Sequence, residues 1–86
     1  MNKREKELLD LEELCQYILS EYFKDCIKNT DLHSLYPDRR DTKSHIYWLQ
    51  IAFGCLTNNQ KLKAVQAKPL LCDYVEVDPK HIFMVL

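Results

Sequence analysis

From Glu5 to Lys28 no glycine or proline interrupts a run whose apolar residues return every three or four positions. Leu8, Leu11, Cys15, Ile18, Tyr22 and Cys26 mark one stripe, and Leu14, Leu19, Phe23 and Ile27 widen it. That period belongs to an α-helix, and the width suits packing against a core or a broad partner surface rather than a narrow two-position seam. The spacing therefore predicts one long helix over 5–28. Asn29, Thr30 and Asp31 offer a stop and a turn.

A helix this long in a chain of 86 residues leaves room for one domain, spanning 1–86. The link DLHSLYPDRRD, 31–41, holds a helical turn at most before Pro37 and Asp38 end it. A second helix is expected from Thr42 to Leu56, capped by Asp41 or Thr42. Its inner face carries Ile46, Leu49, Phe53 and Leu56, extended by Trp48, Ala52 and Cys55. The segment TNNQ, 57–60, reads as a turn, and 61–68 as a short helix closed by Pro69.

The rest of the chain changes character. Val and Tyr are enriched from Leu71 to Val77, Asp78-Pro79-Lys80 is a turn signal, and His81 to Leu86 is almost wholly apolar. The expected fold class is α+β: a helical domain of two long and one or two short helices with a C-terminal antiparallel β-hairpin. The tail HIFMVL then reads as a closing strand, with Ile82, Met84 and Leu86 on one side and Phe83 and Val85 on the other.

Function is constrained mainly by what is missing from the pattern. Zinc sites place Cys or His pairs two to four residues apart. Cys15, Cys26, Cys55 and Cys72 lie too far apart, and His33, His45 and His81 stand singly. Cys15 and Cys26 would sit about 16 Å apart along one helix. No metal and no cofactor is expected. A nucleophile, a base and an orienting group do not come together either. Cys55 and His45 fall on opposite flanks of one helix, and His45 reads as a helix-start residue bonded to backbone or solvent. One glycine cannot build a phosphate loop. The chain reads as a non-enzyme.

Twelve Lys and Arg face thirteen Asp and Glu, for a net charge of -1. The middle, 30–68, is mildly basic with six basic and three acidic residues, and both flanks are acidic. Three helices followed by a hairpin is the order of a winged helix-turn-helix. On that alternative reading the 42–68 region binds nucleic acid as a transcriptional regulator. Lys61, Lys63, Gln66 and Lys68 would then face the groove, and Arg39 and Arg40 the phosphates. The weakness is chemical: the recognition helix lacks the Arg and Asn that usually read base edges.

The leading reading is a small protein-interaction or regulatory protein, an adaptor, inhibitor or accessory subunit. A protein partner is expected, and a homodimer through the first helix is one form of it. Leu11, Ile18, Tyr22, Tyr47, Trp48 and Met84 are the candidate partner-binding residues, because large apolar and aromatic groups dominate interfaces. The basic start leads into an acidic amphipathic pattern, so no export leader is expected. No stretch approaches the ~18 apolar residues of a membrane span. With the cysteines read as reduced small hydrophobes, the expected compartment is the cytoplasm.

Overall fold

A computed structural model describes residues 2–24, 32, 34–38 and 40–77. Among these residues the domain is wholly helical, with α1 at Lys3–Tyr22, α2 at Thr42–Gly54 and α3 at Asn58–Ala67. A short 3-10 helix follows at Pro69–Asp73.

Each helix begins where a side chain satisfies its free N–H groups. The Asn2 Oδ1 accepts from the Glu5 N–H at 2.9 Å, so α1 starts at Lys3, ahead of the expected Glu5. Asp41 caps α2, accepting from the Lys43 N–H at 3.0 Å and the Ser44 hydroxyl at 2.9 Å. These bonds hold its carboxyl below the usual range, the Ser44 hydroxyl contributing most. At α3, Thr57 Oγ1 accepts from the Gln60 N–H while Gln60 Oε1 accepts from the Thr57 N–H. This reciprocal capping box makes TNNQ the first turn of a helix rather than a loop before one.

The core is a single cluster. Leu11, Leu14, Cys15 and Ile18 of α1 meet Trp48, Leu49, Ala52 and Phe53 of α2. Leu56, Ala64, Leu71 and Val75 close it from the far side. The tightest helix pairing is α1 with α2, and α3 packs on the 3-10 helix. Among the described residues an exposed ion pair ties the end of α3 to the middle of α1: Lys68 Nζ lies 2.9 Å from Glu13 Oε1 and 5.6 Å from the Tyr17 ring centre.

Two expectations need correction. The first helix ends at Tyr22, with Phe23 as its C-cap. Phe23 is buried in the core, as its place in the apolar stripe predicts, and residues 25–31 lie outside the described set. The second correction removes the β content. Residues 71–77 form no strand; Pro69 opens a 3-10 helix, where its fixed φ and missing N–H suit the first position. Leu71 and Val75 are buried while Cys72, Asp73 and Glu76 are exposed. Burial therefore repeats at four residues, not two. The fold class is all-helical among the described residues, and the second half of the expected hairpin, 81–86, lies outside them.

Gly54 is the last residue of α2, and a Cβ built there meets nothing within 4 Å. Its φ is not positive, so the backbone makes no use of glycine's freedom. Gly54→Ala is therefore expected to stabilise the domain by about 0.5–1 kcal/mol, mostly by narrowing the unfolded ensemble. Urea unfolding followed by circular dichroism measures this. A loss of stability would show that the helix end is packed more tightly than described.

Candidate functional site

Helix α2 divides cleanly into two faces. His45, Trp48, Leu49, Ala52 and Phe53 are buried. Lys43, Tyr47, Gln50 and Gly54 are exposed along the opposite stripe, with Ile51 half-buried beside them. Tyr47, Ile51 and Gly54 follow each other at helical spacing, so they share one side. Tyr47 is 62% exposed, the most exposed large hydrophobic side chain among the described residues.

The stripe runs into a groove of about 380 Å³. Gln50 and Gly54 belong to both, while Phe53, Lys61, Val75 and Glu76 form the other wall. The far wall is anchored: Gln50 Nε2 donates to the Tyr74 carbonyl at 3.1 Å. Lys61 Nζ stands 5.9 Å above the Phe53 ring, a cation–π arrangement that holds a positive charge at the groove.

A second, polar depression lies between α1, residues 36–40 and the start of α2. Its lining is Glu12, Gln16, Tyr36, Pro37, Asp38, Arg40 and His45, around about 240 Å³. Tyr36 is positioned by an edge-to-face contact with Trp48, ring centres 5.1 Å apart. Trp48 in turn donates its Nε1–H to the Leu32 carbonyl at 2.9 Å. Burial first, then the nearby Cys15 and Glu12, raises the Tyr36 hydroxyl, and Gln16 beside it works the other way. His45 is only 3% exposed, and its Nδ1 is 2.7 Å from the Asp41 carbonyl. This is the backbone bond expected of a histidine in the first turn of a helix.

The predicted partner residues separate. Leu11 and Ile18 are 0% exposed and Trp48 is 1% exposed, so all three are spent on the core. Tyr22 is half-buried, packed edge-to-face on Tyr17 with its hydroxyl donating to the Gln60 carbonyl at 3.4 Å. Tyr47 is displayed. Met84 lies outside the described residues. The apolar side of α1 faces the core, which leaves Leu9 as its exposed large hydrophobic residue.

The predicted nucleic-acid residues also scatter. Lys63 and Gln66 are exposed on α3. Lys61 is drawn over Phe53, and Lys68 is tied to Glu13. Arg40 lines the polar depression, and Arg39 lies outside the described residues. Residues 71–77 do not supply the first strand of a wing.

Among the described residues, no three His, Cys, Asp or Glu side chains are grouped as metal ligands, and no helix is long and apolar enough to cross a membrane. Cys15 is buried, whereas Cys55 and Cys72 are exposed, so the reading of every cysteine as a packed hydrophobe holds for Cys15 alone of these three. The exposed stripe of α2 is legible from periodicity, but the polar depression joins 12–16, 36–40 and 45, which no local pattern links. Compared with known protein families, curated proteins and solved structures, the chain matches none.

Proposed function

We infer that this small helical domain works by binding another protein through the outer stripe of α2, and that it performs no catalysis of its own. The observation that carries this reading is Tyr47, displayed at 62% exposure on a helix whose other side is fully committed to the core. Tyrosine gives a large, stiff, amphipathic contact and is among the residues most enriched at interface hot spots. Ile51 adds apolar area one turn on, and Gly54 with no side chain lets a partner approach the helix backbone closely.

Charge narrows the class of partner. Lys43 stands at one end of the stripe beside Glu5, Glu7 and Asp41, while Lys61 and Glu76 both line the groove at the other. A partner with an apolar centre and a rim of both charges fits this pattern, since rim charges steer and orient association.

Site-specific photo-crosslinking tests the reading. A benzophenone side chain at position 47 is expected to give a discrete protein adduct in cells expressing the chain. The same group at position 63, on α3, is expected to give none of that adduct. Tyr47→Ala should remove the association recovered by pull-down while leaving the unfolding midpoint unchanged. Identical adducts from 47 and 63, or no adduct from 47, would overturn the assignment. An adduct of twice the chain mass would identify the partner as a second copy.

A further inference from the structure

The polar depression beside α2 has a property that the interaction stripe does not use. His45 is enclosed on nearly every side, yet only one ring nitrogen has a partner. Its Nδ1 is 2.7 Å from the Asp41 carbonyl. A carbonyl oxygen only accepts, so Nδ1 carries the proton in that bond, and in the neutral ring Nε2 is left as an acceptor. Among the described residues Nε2 has no hydrogen-bond partner. No fully enclosed side-chain nitrogen or oxygen there lacks one. Nε2 is therefore not fully enclosed, and the depression of about 240 Å³ is the space His45 lines.

Glu12 and Asp38 bring carboxylates to that space, which only accept when ionised, while Gln16 and Tyr36 bring an amide and a hydroxyl that both donate and accept. Glu12 and Gln16 both lie close enough to the Tyr36 hydroxyl to shift its ionisation. Pro37 and the Tyr36 ring supply apolar wall. Among the described residues Arg40 is the one cation in the lining, and it makes no ion pair with Glu12 or Asp38. Grouped metal ligands are not found among the described residues, so the acceptors do not add up to a cation cage for a metal.

We propose that this depression binds a primary ammonium group, with His45 Nε2 and the Glu12 carboxylate as its acceptors. An ammonium has three N–H donors and no acceptor, the complement of a ring nitrogen, a carboxylate and a hydroxyl oxygen on residues that line one depression. The Tyr36 ring gives the cation an aromatic face, and Pro37 gives its methylenes a dry wall. The ligand is a free alkylamine or the side chain of a lysine on another protein; both present the same group. The site goes beyond the protein-binding stripe and does not depend on it.

The test is an NMR titration of the intact chain with n-butylammonium chloride at mildly alkaline pH, where imidazoles are neutral. Saturable shifts of the His45 and Tyr36 ring signals are expected, with no such shifts from n-butanol. Glu12→Gln is expected to weaken binding about five-fold, and Arg40→Ala to strengthen it roughly two-fold by removing a competing cation. Both positions are at the surface side of the lining, and far-UV circular dichroism checks that the variants stay folded. Saturation by N-acetyl-lysine methylamide as well would identify a partner's lysine as an acceptable source; saturation by butylammonium alone would point to a small amine. Linear, unsaturated shifts, an equal response to butanol, or unchanged affinity in Glu12→Gln would each overturn the proposal.

Discussion

Trp48→Ala is expected to destabilise the domain severely. Removing a fully buried tryptophan costs about 3–5 kcal/mol through lost burial and the cavity left behind. The side chain is 1% exposed and lies against α1 residues in the centre of the core. A chain of 86 residues has a total stability of about 4–13 kcal/mol, so this one substitution removes from about a quarter to all of it. Trp48→Phe separates two contributions. It keeps most of the ring but leaves the Leu32 carbonyl without its Nε1–H donor, at about 1–3 kcal/mol.

The location of that damage is also expected to be specific. Trp48 holds Leu32 by a hydrogen bond and Tyr36 by an edge-to-face contact. Hydrogen exchange in Trp48→Phe should therefore accelerate first at 32–38, before α1 and α2 loosen. Because Tyr36 and Pro37 wall the polar depression, ammonium binding should weaken in the same variant while the Tyr47 stripe persists. Uniform loosening across α1 and α2 would contradict the role given to Trp48 as the tie for that segment.

Trp48 and Tyr47 also show how far the sequence reaches. Adjacent helix residues point about a quarter-turn apart, so one of two neighbouring aromatics on an amphipathic helix faces inward and its neighbour turns away. The spacing of Leu49, Ala52 and Phe53 places Trp48 with them and leaves Tyr47 outside, which is what the structure has. Reading both as partner anchors discarded that information. The strand at 71–77 failed differently. Val75 and Val77 carry a β preference that reflects packing context more than backbone chemistry, and the spacing of Leu71, Tyr74 and Val75 already matched a helical turn. A strand would also have put Asp73 on the same side as Leu71 and Val75, a charge on the buried face. The cleft around His45 was illegible for a third reason. Its walls come from segments brought together only when α1 packs on α2, so neither spacing nor composition carries a trace of it.

Raising the pH above about 9 is expected to destabilise the fold, with Cys15 as the first cause. Burial pushes its thiol from an ordinary value near 9 up to about 12, and the negative charge of Glu12 adds to the rise. Its Sγ–H donates to the His45 carbonyl at 3.6 Å, a bond the thiolate cannot make. The folded chain thus holds a proton that the unfolded chain releases. Stability from this group is complete below pH 9 and declines until the pH passes the folded value, at about 1.4 kcal/mol per pH unit. Tyr22 follows from pH 10: burial, then its contacts with Tyr17 and the charge of Glu21, pushes its hydroxyl up to about 12. Its partial exposure makes that contribution smaller. Cys15→Ala removes the first group, at a cost of about 1 kcal/mol near neutral pH, and should flatten the decline between about pH 9 and 10. Urea midpoints measured across that window for both proteins decide the matter. Alkylation gives an independent check: with iodoacetamide on the folded chain, Cys55 and Cys72 should label readily while Cys15 stays unmodified until denaturant is added. Parallel pH profiles, or labelling of Cys15 at the rate of the exposed cysteines, would mean that the contact between α1 and α2 opens far more readily than a close-packed interior allows.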